Sequence, residues 1–130
     1  MGSLHRQATT KTDFDRNLPG IVTHLVGKIG LKEIQDWAQS FQTVRDNNFV
    51  NQGFKLLVNT YGYQPVSLEV HKKWRESLVS YSENRCLAIA FVNHDPRQVA
   101  ELQKTATHTH NFFMDINEAY QWLRQASQGQ

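Results

Sequence analysis

Cysteine occurs once in these 130 residues, at Cys86, so no internal disulfide can form and no Cys-x-x-Cys pair exists. No apolar run approaches the length needed to cross a bilayer, and no signal-peptide core follows Met1. Gly2 opens like a myristoylation site, but Arg6 stands where Ser or Thr is required. Charge of one sign is also scarce. Fourteen Lys and Arg against twelve Asp and Glu leave a net charge of +2. The basic residues are scattered, with Lys72, Lys73 and Arg75 the densest group. A nucleic-acid footprint calls for a basic stripe with interleaved aromatics, and this pattern excludes one. Catalytic signatures are missing as well: there is no Gly-x-Ser-x-Gly elbow, no Gly-x-Gly-x-x-Gly and no Walker lysine loop. These absences predict a cytoplasmic chain without a cofactor, without membrane insertion and without an enzymatic site.

What is present is ordinary globular material, 39% hydrophobic and 20% charged, with three Trp, seven Phe and four Tyr as large apolar side chains. A polar segment over residues 1–13 reads as a tail or a weak edge strand, ahead of a core over residues 14–125 in a single domain. Asn17-Leu18-Pro19-Gly20 is turn chemistry. Ile21 to Ile29 is β-branched and predicts a strand. From Leu31 the period lengthens, with Leu31, Ile34, Ala38 and Phe41 forming a helical stripe after Gly30 as N-cap. Asp46 to Gly53 reads as a break, Phe54 to Thr60 as a buried strand and Tyr61 to Pro65 as a loop. Ser67 then caps a helix with Val70, Trp74, Leu78 and Tyr81 on one face. Leu87 to Val92 is apolar on both faces, as in a strand covered from both sides. Asp95-Pro96 starts a third helix bearing Val99, Leu102 and Ala106. Asn111 to Met114 is a last strand, and Asp115 with Glu118 has capping-box spacing before Ala119, Trp122 and Leu123. This alternation predicts an α/β fold: a mainly parallel, mixed sheet of four to five strands with about four helices.

The stretch from Gly20 to Arg124, about four-fifths of the chain, resembles the SpoIIAA-like proteins, relatives of the STAS domain of anti-sigma-factor antagonists. The resemblance rests on Val22-Thr23-His24-Leu25-Val26-Gly27-Lys28-Ile29, Lys55-Leu56-Leu57-Val58-Asn59 with Gly62-Tyr63, and Leu87-Ala88-Ile89-Ala90-Phe91-Val92. It rests above all on Phe112-Phe113-Met114-Asp115 running into Glu118-Ala119-Tyr120-Gln121-Trp122-Leu123. It implies a non-catalytic bacterial module that binds a protein partner of the anti-sigma-factor kinase type, with a homodimer as a further assembly. It also implies a switch by phosphorylation at the start of the second helix. The antagonists' Asp-Ser pair is absent here, and Ser67 is the hydroxyl nearest that place. Some relatives are similar to lipid-binding modules, so the alternative function is a small-ligand domain for lipid or nucleotide.

Ligands of open α/β sheets sit beyond the carboxyl ends of the strands. That edge gathers Asn59, Tyr61, Tyr63, Asn93, His94, Asp95 and Arg97, with Ser67 beside them, as a polar pocket with aromatic walls. The plainer reading is loop and cap chemistry, which alone explains most of these residues. His108 and His110 share a strand face, yet no third or fourth ligand at zinc-site spacing accompanies them. Trp74 and Trp122 fit core-facing stripes. Trp37 falls off its stripe, which suits an interface residue or a wider apolar face.

Overall fold

The computed structural model describes residues 9–50, 52–82, 86–105, 107 and 109–126. The strands are β1 (Thr9–Asp15), β2 (Gly20–Ile29), β3 (Phe54–Asn59), β4 (Tyr63–Pro65), β5 (Cys86–Val92) and β6 (His110–Phe113). The helices are α1 (Leu31–Asn48), α2 (Leu68–Ser82), α3 (Pro96–Gln103) and α4 (Ile116–Ala126). Five strands lie in the order β1-β2-β3-β5-β6, and β4 pairs with β2 off that path. β1 is antiparallel to β2, and every other pairing is parallel. The sheet is therefore mixed and mostly parallel, as the alternation of elements requires.

Period-two alternation along β3 sorts the core into two layers. Phe54, Leu56 and Val58 face α1 and α2, where Ile34, Trp37, Phe41, Val70, Trp74 and Leu78 close the larger cluster. Leu57 points the other way, into a smaller cluster with Ala88, Ala90, Ala119 and Leu123 under α4. Lys55 shares that second face. Its stem is buried, and Nζ reaches the Arg124 carbonyl in the last turn of α4 at 3.4 Å, where the helix's unpaired carbonyls lie. Burial, followed by the charge of Arg124, lowers the Lys55 pKa.

Several expectations are corrected. The buried face of α1 is Ile34, Trp37 and Phe41, while Leu31 is 53% exposed. Trp37 can be wholly buried because its Nε1–H donates to Thr23 Oγ1 at 2.8 Å. α1 runs on to Asn48, through the first residues of the expected break. The Asn48 amide donates to the Val44 carbonyl, and the Phe49 N–H donates to that of Arg45. Leu87 is exposed at the amino end of β5, so that strand is not covered on both faces along its whole length. Trp122 is half-buried against Phe113 rather than enclosed. Within the expected loop, Tyr63–Pro65 forms β4. Gly27 and Gly62, both at positive φ, let β2 exchange β3 for β4, with the Gly27 N–H donating to the Gly62 carbonyl at 2.8 Å. Residues 1–8 of the expected tail, Ala106, His108 and the side chain of Tyr81 lie outside the described residues.

Candidate functional site

Parallel strands bring their carboxyl ends, and hence the starts of α1, α2, α3 and α4, to one edge of the sheet. At α2 the Ser67 hydroxyl accepts the Val70 N–H at 3.2 Å, which makes it the N-cap. One turn later, His71 returns to the same side of the helix. The Tyr63 hydroxyl lies 2.9 Å from His71 Nδ1. Burial pushes the Tyr63 pKa up to about 12, against the opposing charge of Arg75, so the hydroxyl keeps its proton and donates it. Burial, then the charge of Arg75, lowers the His71 pKa, so its imidazole is neutral and accepts at Nδ1. The Tyr63 ring packs 5.2 Å from that of Trp74.

Across from α2, Asn93 leaves β5 and its Oδ1 accepts the Asp95 N–H at 2.9 Å. Asp95 caps α3 by accepting from the N–H groups of Arg97 and Gln98. A groove of about 540 Å³ runs between these two helix starts. Tyr63, Ser67, Asn93, His94 and Asp95 line it, together with His71 and Gln98. A smaller chamber of about 80 Å³ opens beneath it, walled by Trp74, Phe91 and Phe112.

Asn59 and Tyr61 stand elsewhere. With Val26, Met114 and Ile116 they line a second cleft of about 470 Å³. Asn59 Oδ1 accepts the Tyr61 N–H at 3.0 Å, which turns Nδ2 toward His24 Nδ1, also at 3.0 Å. An imidazole that accepts there is neutral, in keeping with the lowered His24 pKa. The Tyr61 and His94 rings meet edge to face at 5.5 Å and bridge the two clefts. Arg97 lines neither cleft. Its backbone belongs to the cap.

No family model matches the sequence, and no curated protein matches it. Among solved structures the chain is similar to an uncharacterised protein of the DUF3478 family with a SpoIIAA-like fold from Shewanella loihica PV-4. The TM-score is 0.67 at 13% identity, over 95% of this chain and 98% of that one. The fold is SpoIIAA-like.

Asp95 commits Oδ1 to two backbone N–H groups, so it serves the helix rather than the neighbouring His94. Burial pushes the Cys86 thiol up to about 12, and its S–H donates to the Ala88 carbonyl at 3.3 Å, which makes it a poor thiolate. Among the described residues no three His, Cys, Asp or Glu come together as metal ligands. His110 Nδ1 is 3.2 Å from Thr107 Oγ1. Sequence reasoning missed His71, Gln98, Arg75 and the aromatic chamber. The one available signal was the four-residue spacing of Ser67 and His71, which sets a second polar group above the cap.

Proposed function

We propose that this protein is a non-catalytic, protein-binding regulatory module of the STAS type that docks through the carboxyl edge of its sheet. The observation that carries this is where apolar surface is left open. Among the described residues, ten large hydrophobic side chains are exposed. Six of them stand just past strand ends: Leu31, Val66, Leu68, Met114 and Ile116 where strands hand over to helices, and Tyr61 in the turn between β3 and β4. Scattered single hydrophobics need no explanation, whereas such a concentration marks an interaction surface. In the two clefts Ser67, Asn93 and Asp95 serve caps and turns, and Asn59 and Tyr63 pair with His24 and His71, which suits a rigid docking platform better than a reaction centre. No described helix is long and apolar enough to cross a membrane. The partner class that fits the fold is an anti-sigma-factor-like kinase, with Ser67 as the position at which docking is regulated.

The test is capture from a lysate of the source cell. Wild-type protein is compared with a Tyr61→Asp, Leu68→Asp double variant and with Val79→Asp, whose side chain is exposed on the helical part of α2. A partner held by wild type and by Val79→Asp but lost by the double variant is the expected result. Equal retention by all three proteins, or no specific partner at all, would overturn the proposal.

A further inference from the structure

We propose that the chamber beneath the α2–α3 groove is a binding site for a small planar monocarboxylate. Trp74 is 2% exposed, and its Nε1–H is buried without an acceptor among the described residues. A buried donor left unmet is costly, and it marks a place where an acceptor belongs. Arg75, the next residue of α2, holds its guanidinium 5.8 Å from the centre of the Phe91 ring. It has no carboxylate partner among the described residues. His71 gives Nδ1 to Tyr63 and is neutral, so its remaining proton sits on Nε2 as a third donor. Asp95, the acid of the groove, is occupied with backbone N–H groups. The complement of this donor-rich set is a group that only accepts.

One cation matches one negative charge, which favours a carboxylate over a phosphate dianion. The walls fix the rest of the molecule. Trp74, Tyr63, Phe91 and Phe112 line the chamber, and Phe91 and Phe112 lie stacked at 5.2 Å and 16°. Flat apolar surfaces of this kind accept a flat apolar body. A water needs about 10–15 Å³ of such space, so 80 Å³ takes a carboxylate and the edge of a ring, with the remainder lying in the groove above.

The probes are benzoate and its neutral isostere benzamide. The readout is the indole N–H region of a proton–nitrogen correlation spectrum, where Trp74→Phe identifies the Trp74 signal among those of the three tryptophans. Benzoate is expected to move the Trp74 signal downfield and saturably, with Kd on the order of 1 mM for so small a molecule. Arg75→Gln should weaken that binding about tenfold, while Arg75→Lys keeps most of it. Benzamide should leave the signal in place. The proposal falls if benzoate leaves the Trp74 signal unmoved, if benzamide moves it equally, or if Arg75→Gln binds benzoate as wild type does. The Trp74 signal is read on the isolated protein without any partner, so failure here is distinct from failure of the docking surface.

Discussion

Replacing Gly20 by Ala should destabilise the protein, against the usual sign for glycine in a strand. In an ordinary strand interior, Ala is favoured over Gly by about 0.5–1 kcal/mol. Gly20 opens β2, where it pairs with Lys55 of β3 and with Asp15 of β1. Its φ is not positive, so backbone conformation does not demand glycine here. Contact does. A Cβ at this position would stand 2.3 Å from the Lys55 carbonyl oxygen and 2.9 Å from its carbonyl carbon. Even a close carbon–oxygen approach needs about 3.3 Å, so the strands must part by about 1 Å. The obstacle is backbone in the middle of a paired sheet and cannot rotate aside. Overpacking of this kind costs about 1–3 kcal/mol, and a weakened ladder hydrogen bond adds about 1 more. The expected total is about 2–4 kcal/mol. Gly30→Ala is the control. There the new Cβ meets the tip of the Glu33 side chain at 3.2 Å, a group that can swing away, and the expected loss at this N-cap is no more than about 1 kcal/mol. Equilibrium urea unfolding with unchanged m-values reads both variants. A Gly20→Ala protein as stable as wild type would show that the β2–β3 register at this point is not the one described.

Three further outcomes are expected. Ser67→Ala should lose about 1 kcal/mol in urea unfolding, while Ser67→Asp, also a good cap, should keep wild-type stability. If docking is regulated at this residue, Ser67→Asp weakens partner capture through added negative charge, and unchanged capture would remove Ser67 from that role. His24 carries a pKa lowered below 6.5, first by burial and then by Lys11, with Asp13 opposing. The unfolded chain therefore takes up this proton first. Stability is flat above 6.5 and declines as pH falls from there to the lowered folded value. His24→Gln should show a shallower decline in urea midpoint over that window, and an identical slope would contradict the assignment. Tyr63→Phe removes the donor to His71 Nδ1, so it should cost about 1 kcal/mol and raise the His71 pKa in an NMR titration. An unmoved His71 pKa would mean that the hydrogen bond is not made in solution.

The sequence by itself determined what depends on neighbours a few residues apart. The Asp95-Pro96 start of α3, the cap at Ser67, Gly30 before α1 and the β1–β2 turn follow from local capping and turn preferences. Alternating strand and helix periods then leave a mostly parallel sheet as the way to bury both sets of apolar faces. Only the tertiary structure decided what depends on partners distant in the chain. Trp37 lies off the simple helical stripe, and its place in the core was settled by Thr23, fourteen residues earlier, which takes the indole proton. β4 exists because Gly27 of β2 comes against Gly62, a contact that no local propensity reports. The expected edge residues were split the same way. Asn59 was drawn to His24 and Tyr63 to His71, so one anticipated pocket became a groove and a separate cleft. A cap is a hydrogen bond across three residues, and the sequence spells it out. A cleft is the gap between elements whose distance is set by everything packed beneath them, and side-chain identities along the chain carry no measure of that distance.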